Sequence, residues 1–142
     1  SMGELDEKAK LRVMESFLDG SMLQELQPVC TSEQILAMRE MIKTVTVNQC
    51  VREYIVEIIS KTGKNQSIMA GVSTRAMLAL VRVLQAFAAM QGRTYVIPDD
   101  VKALAPCVLA HRLLTYGNAK DNVEKLQEII SMVEVPVEDW KQ

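Results

Sequence analysis

An arginine in an unfavourable position is the residue of this chain most suggestive of chemistry. The stretch Gly71-Val72-Ser73-Thr74-Arg75-Ala76 leads into the most apolar run of the sequence, which predicts a helix. Ser73 is a good N-cap, so Arg75 falls in the first helical turn, where a cation opposes the helix macrodipole by roughly 0.3–1 kcal/mol. A bound phosphate would reverse that penalty, because free backbone N–H groups and a guanidinium would converge on it. The alternative interpretation is a solvated arginine that tolerates a weak penalty.

Other catalytic and metal-binding patterns are weak. The single histidine, His111, excludes a histidine cluster, and Ser73 lacks the surroundings of a catalytic serine. The three cysteines, Cys30, Cys50 and Cys107, lie far apart and favour small buried hydrophobic residues in a reduced compartment. The sequence contains no Gly-x4-Gly-Lys-[Ser/Thr] loop. We therefore expect no catalytic residue and no metal site in this chain.

Two adjacent charged pairs have ordinary structural interpretations. Asp99 and Asp100 follow Pro98, so they favour the positive end of a predicted helix, and we expect both carboxylates to be solvated. The pair His111-Arg112 lies near a predicted helix end, where cations favour the negative end of the dipole. Neither pair therefore requires a functional explanation.

Apolar residues recur at intervals of three and four along most of the chain, which predicts an all-α fold of about five to six helices with short extended connections. These helices cover residues 5–19, 31–44, 48–62, 73–90, 98 onward and 118–132. Residues 63–70 are predicted to form a polar loop, and Pro106 is predicted to interrupt or restart the fifth helix. Val123 is expected on the buried face of the last helix.

The helix from Ser73 to Met90 is predicted to lie at the centre of the fold. Its apolar residues cover most of the circumference, and the dominant face comprises Met77, Leu80, Val81, Leu84, Phe87 and Ala88. The next helix begins after Ile97, whose side chain cannot accept a hydrogen bond, so we expect its start to be less tightly fixed.

The order and spacing of several blocks resemble the C-terminal helical lid of MoxR-type AAA+ ATPases. The blocks are Gly71-Val72-Ser73-Thr74-Arg75-Ala76, Leu78-Ala79-Leu80, Gly92-Arg93-Thr94-Tyr95-Val96-Ile97-Pro98-Asp99-Asp100-Val101, Ala103-Leu104-Ala105-Pro106 and His111-Arg112-Leu113. The resemblance implies that Arg75, supported by Ser73, is the sensor-2 residue that reaches the γ-phosphate of ATP. The family usually has proline where this chain has Thr74, which leaves the rigidity of that first turn in question.

The resemblance also implies a domain organisation. Residues 3–142 would form the lid, and Ser1-Met2 would be an expression scar. The ATPase core, with the phosphate-binding loop and the ligands of Mg²⁺, would lie N-terminal to this chain. We therefore expect the full-length protein to hydrolyse ATP and this chain alone to be inactive.

The implied partners are the ATPase core of the same chain and neighbouring subunits, as a hexamer when full length. The resemblance further implies a chaperone-like role in complex assembly or activation, in the cytoplasm, alongside a protein with a von Willebrand factor A domain. It also makes His111-Arg112 a candidate contact with the core or a neighbouring subunit.

Charge and hydropathy exclude two other classes of partner. A net charge of -2 gives no field for nucleic acid, and the apolar run from Ala76 to Met90 is too short to span a membrane. The alternative to an ATPase lid is a stand-alone helical interaction module without nucleotide chemistry.

Overall fold

The computed structural model describes residues 4–20, 27–116 and 121–136, and these are mostly helical. The helices are α1 (Glu7–Asp19), α2 (Ser32–Ile42), α3 (Gln49–Lys64), α4 (Thr74–Met90), α5 (Pro98–Leu109) and α6 (Asn122–Ser131). A 3₁₀ turn covers Ala110–Arg112, and two short strands, β1 (Ile68–Ala70) and β2 (Leu114–Thr115), form one small sheet. The predicted helical fold is confirmed. The expression scar, residues 137–142 and the predicted helix start at 118 lie outside the described residues.

Backbone contacts divide the chain into two compact units, residues 1–35 and residues 36–142. In the first unit, α1 begins where the Asp6 carboxylate accepts from Ala9 N at 2.7 Å, and it ends at Gly20 with φ 65°. No residue of α1 is buried, so its predicted apolar stripe, including Phe17 at 83% exposure, lies at the surface. Thr31 and Gln34 form a capping box at the start of α2, with reciprocal bonds of 2.9 and 3.3 Å.

The second unit is built around α4, as its apolar pattern predicts. Ala76, Leu80, Leu84 and Ala88 are fully buried at four-residue intervals, which places one face of α4 against the rest of the core. The buried residues around it come from α3, α5 and α6: Val51, Ile55, Ile58, Val101, Ala105, Leu109, Leu126 and Ile129. The central position of α4 therefore follows from burying its apolar face.

Short extended segments tie the helices together. The predicted loop over residues 63–70 instead contains the end of α3 and strand β1, whose Ile68 pairs antiparallel with Thr115 of β2. Each strand is too short to show alternation, so no sequence pattern predicts the sheet. The extended run after α4 also pairs, since Val96 N donates to Thr46 O at 3.0 Å.

Three further predictions are wrong. Pro106 does not interrupt α5, and the carbonyl that it deprives of a helical donor belongs to the exposed residue Lys102. Val123 is exposed, because Asn122 occupies the buried position and donates to the carbonyls of Ala110 and Leu113. Cys107 is exposed rather than buried.

Candidate functional site

The segment that leads into α4 is fixed to the end of α3 through a buried hydroxyl. Thr62 is fully buried, and its Oγ1 donates to the carbonyl of Ile59 at 2.6 Å. The same oxygen accepts from the backbone N–H of Val72 at 3.1 Å. A buried backbone donor just ahead of Arg75 is thereby satisfied, and the approach to α4 is tied to α3.

Gly71 allows the two backbones to come this close. A Cβ at position 71 would lie 2.7 Å from the backbone N and 2.8 Å from the Cα of Gly63. Backbone atoms cannot move aside as a flexible side chain can, so the position requires glycine. The pattern at Thr62-Gly63 predicts only the end of a helix. The sequence signal for the close approach is Gly71, inside the motif.

Ser73 caps α4 as predicted. Its backbone is extended, with φ −74° and ψ 156°, and its Oγ accepts from Ala76 N at 3.3 Å. Its carbonyl accepts from Met77 N at 3.0 Å, the first bond of the helix. The N–H groups of Thr74 and Arg75 have no acceptor among the described residues. The start of α4 therefore presents two free donors at the positive end of its dipole.

The Arg75 side chain is exposed in the first turn of α4. Within residues 4–20, 27–116 and 121–136 it forms no hydrogen bond and no salt bridge. The fold therefore holds this cation beside free N–H groups without neutralising it. Such an arrangement favours an anion, because the two donors and the guanidinium can all contribute to one contact.

Arg93, in contrast, forms hydrogen bonds inside the fold. Its guanidinium donates to both carboxylate oxygens of Asp100, at 2.7 and 2.8 Å, and to the carbonyl of Tyr95 at 3.0 Å. Hydrogen bonding to Asp100 raises the pKa of Arg93 above its usual range. These contacts make Arg93 a structural residue.

The burial and the contacts of Asp100 show that two predictions are wrong. It is 4% exposed rather than solvated, while Asp99 remains at the surface and pairs with Lys102 at 2.9 Å. Asp100 also accepts from Ile97 N at 3.0 Å, so the start of α5 is tightly fixed although Ile97 cannot cap it.

The remaining candidate residues lie apart from the start of α4. His111 and Arg112 occupy the exposed 3₁₀ turn after α5, where Arg112 Nε donates to His111 Nε2 at 3.2 Å. Among the described residues, no three histidine, cysteine, aspartate or glutamate side chains group as a metal site would require. In that same part of the chain, no helix has the length and apolar character needed to cross a membrane.

The AAA lid domain family matches residues 60–132. The chain belongs to this family. Within this AAA lid domain, the matched residues include Thr62, Gly71, Ser73 and Arg75, so the whole candidate site falls inside the family match. Together with the MoxR proteins among its relatives, the match identifies the chain as a lid of the MoxR type.

Relatives and a solved structure extend the comparison. The lid is 38% identical over 120 residues to the uncharacterized protein YeaC of Bacillus subtilis, covering 82% of this chain and 38% of that protein. It is 26% identical over 125 residues to Chaperone MoxR1 of Mycobacterium tuberculosis, covering 79% of this chain and 33% of that protein. A candidate ATPase from Cytophaga hutchinsonii superposes with TM-score 0.73 at 27% identity, over 95% of this chain and 45% of that chain.

A magnesium-chelatase subunit ChlI homolog of Methanocaldococcus jannaschii is 33% identical over 102 residues, covering 70% of this chain and 26% of that protein. The lid thus spans less than half the length of each of these proteins.

Proposed function

We propose that this chain is the lid of a MoxR-type AAA+ ATPase and that Arg75 is its sensor-2 residue, which contacts the γ-phosphate of ATP. The observation that carries the proposal is the exposed Arg75 beside two N–H groups, none of which has a partner among the described residues, inside the family match. Residues 3–142 form the lid in this proposal, and the ATPase core lies N-terminal to them. Full-length relatives more than twice as long as the lid support that division.

The start of α4 fits a phosphate group. Arg75 supplies a planar guanidinium suited to phosphate oxygens, and Thr74 and Arg75 supply backbone donors. Ser73 holds the turn, because its side chain satisfies the third N–H and leaves the first two free. ATP bound to the core supplies the γ-phosphate, whose transfer to water is the reaction. Arg75 stabilises negative charge there, and Mg²⁺ is held by core residues.

The anchoring of the site to α3 suggests how the lid responds to nucleotide. Thr62 and Gly71 join the approach to α4 to the end of α3, and the buried face of α4 joins it to the core of the second unit. A contact between Arg75 and a phosphate therefore acts on the packed helices of the second unit and not on a flexible loop. We propose that the lid closes over ATP as a rigid body and passes the nucleotide state to neighbouring subunits of a hexamer.

The wider role belongs to the whole protein. We propose for it a chaperone-like function in assembling or activating protein complexes, and the name of one relative, Chaperone MoxR1, supports the chaperone part of this proposal. A protein with a von Willebrand factor A domain is the proposed partner in that work, and the cytoplasm is the proposed location.

The experiment compares single substitutions in the full-length ATPase. Arg75→Ala should lower ATP hydrolysis per folded molecule by roughly tenfold or more, because a charge-assisted phosphate contact contributes about 1.5–3 kcal/mol. Arg75→Lys should fall between alanine and wild type, since it keeps the charge and loses the fork geometry. The matched control is Arg52→Ala, which removes an exposed arginine from α3 and should leave hydrolysis unchanged.

Two results would refute the sensor-2 assignment. The first is hydrolysis by Arg75→Ala within about twofold of wild type. The second is an equal loss in Arg52→Ala, which would show that any exposed arginine of the lid has the same effect.

A further inference from the structure

The surface between α2 and the C-terminal half of α4 carries an apolar groove that the proposed function does not use. Its cavity, of about 490 Å³, is lined by α2 residues, by α4 residues and by the chain that follows each: Met38, Met41, Ile42, Thr44, Val45, Ala86, Ala89, Met90, Gly92, Arg93 and Thr94. Three methionines are strongly exposed there, Met38 at 52%, Met41 at 69% and Met90 at 83%. We call this surface the α2–α4 groove.

A second cavity continues the groove toward the middle of α4. It has about 460 Å³, shares Ile42 and Ala86 with the first, and is lined further by Arg39, Glu40, Lys43, Arg82 and Gln85. The Gln85 amide donates to the carbonyl of Val45 at 2.7 Å, so this donor on the wall is already satisfied. The two cavities form one surface with an apolar part and a polar end.

The polar end carries an excess of positive charge. Lys43 pairs with Glu40 at 2.7 Å, and Glu40 is the only acid among the described residues that line this cavity. Arg39 and Arg82 form no side-chain hydrogen bond or salt bridge within the described ranges. The chain as a whole has a net charge of -2, so this concentration of cations is local.

We propose that the α2–α4 groove binds an acidic amphipathic helix of a partner protein. Apolar side chains of that helix pack on the methionines, which adapt readily to different shapes, and its carboxylates meet Arg39 and Arg82. Six of the eleven residues that line the apolar cavity lie on α2 or α4, so the side chains of a bound helix can pack between the side-chain ridges of two helices.

The groove is separate from the phosphate-binding end of α4. Arg82 lies seven residues after Arg75, so the two side chains share the outer face of α4 at positions about 10.5 Å apart along its axis. Met90 lies two further turns away. Arg75 lines neither cavity, so binding in the groove and the sensor-2 assignment are tested at different residues.

The experiment uses two fluorescently labelled amphipathic peptides of about 18 residues with identical apolar faces. The polar face carries glutamates in one peptide and lysines in the other, and fluorescence anisotropy is titrated with the full-length protein. We expect saturable binding of the glutamate peptide, at least about tenfold tighter than the lysine peptide, and weakening as salt is raised.

Variants locate the binding. Met90→Ser should lower the affinity for the glutamate peptide about tenfold. Arg39→Gln combined with Arg82→Gln should lower this affinity about fivefold or more. The matched controls, Met132→Ser and Arg52→Gln, remove an exposed methionine and an exposed arginine elsewhere and should change nothing. Arg39→Glu combined with Arg82→Glu should reverse the preference toward the lysine peptide.

Four results would overturn the proposal. They are equal binding of both peptides, equal weakening by the control variants, displacement of the glutamate peptide by millimolar inorganic phosphate alone, and self-association of the chain that Met90→Ser abolishes. Phosphate displacement would make the polar end a small-anion site. Self-association would make the groove an interface between copies of this chain.

Discussion

Helices α4 and α5 begin with similar backbone geometry, but their starts differ in whether the charges and N–H groups there have partners. Both follow an extended residue, Ser73 with ψ 156° before α4 and Ile97 with ψ 158° before α5. At α5, Asp100 turns back to accept from Ile97 N and from Arg93, so donors and charges are satisfied inside the fold. At α4, Ser73 satisfies one N–H, while two N–H groups and Arg75 face outward.

This difference separates structural charge from available charge. Arg93 has an internal partner whose removal leaves a half-buried cation, so the fold depends on it. In the part of the chain that the structure describes, Arg75 has no such partner, and it opposes the dipole of its own helix, so its charge does not stabilise these residues. A cation that the fold holds in place without neutralising its charge is available to bind an anion. Substitutions at the two helix starts should therefore have contrasting effects on stability.

The largest expected effect is at the start of α5. Asp100→Ala should lower the free energy of unfolding by about 2–4 kcal/mol, because it leaves the Arg93 guanidinium and the Ile97 N–H without the carboxylate that they bind. The control Asp99→Ala removes only the exposed pair with Lys102 and should cost less than about 1 kcal/mol. Urea denaturation of this chain measures both. Similar losses in the two variants would mean that the α5 start does not depend on its buried ion pair.

At the α4 side, the strongest stability effect should come from Gly71. Gly71→Ala should cost about 1–3 kcal/mol, because the new Cβ would meet the backbone of Gly63 at 2.7 to 2.8 Å. The matched control is Gly63→Ala, whose Cβ meets nothing within 4 Å and which should stabilise α3 by about 0.5–1 kcal/mol. If Gly71→Ala were neutral, the approach to α4 would not be tightly held against α3, and the rigid-body closure proposed above would lose its support.

The sequence predicted the parts of the fold that repeat a pattern. The helices, the central burial of α4, the Ser73 cap and the outward Arg75 all follow from three- and four-residue spacing and from local capping rules. These features depend on residues close together in the chain, so they can be read without knowing the fold.

The features that it missed depend on residues brought together by folding. The Thr62 hydroxyl reaches Val72 across ten residues, and Arg93 reaches Asp100 across seven. Asp99 and Asp100 are chemically identical neighbours, yet one is exposed and the other buried, because only one side of α5 faces Arg93. One local signal was present, because Asp100 is the third residue of α5 and can accept from the N–H of Ile97, but its pairing with Arg93 depends on the fold. The small sheet was missed for the same reason, since β1 and β2 pair across more than 40 residues.

A smaller effect on stability should follow from placing proline, the first residue of α5, at the first position of α4. Thr74→Pro should raise the free energy of unfolding by about 0.4–1 kcal/mol, because proline restricts the unfolded chain and the preceding Ser73 already has an extended backbone. Thr74 N has no acceptor among the described residues, so no hydrogen bond is lost. Urea denaturation decides the result, with Thr74→Ala as a control for loss of the side chain. A loss above about 1 kcal/mol would show that the first turn of α4 differs from that of α5 in backbone as well as in charge.

The smallest stability effect is expected at Arg75 itself. Arg75→Ala should leave the free energy of unfolding unchanged or raise it by up to about 0.5–1 kcal/mol, because it removes a cation from the positive end of α4 and breaks no contact in the described structure. Arg93→Ala provides the contrast. It leaves the buried Asp100 carboxylate without its cation and should lower the free energy of unfolding by about 2–4 kcal/mol. Thermal and urea unfolding of both variants of this chain measure the difference. If Arg75→Ala destabilised the chain as much as Arg93→Ala, Arg75 would be a structural arginine, and any fall in ATP hydrolysis in the full-length protein would reflect lost folding. A stable Arg75→Ala variant with reduced hydrolysis would separate the two roles, because only a contact made outside this chain can be lost without cost to its stability.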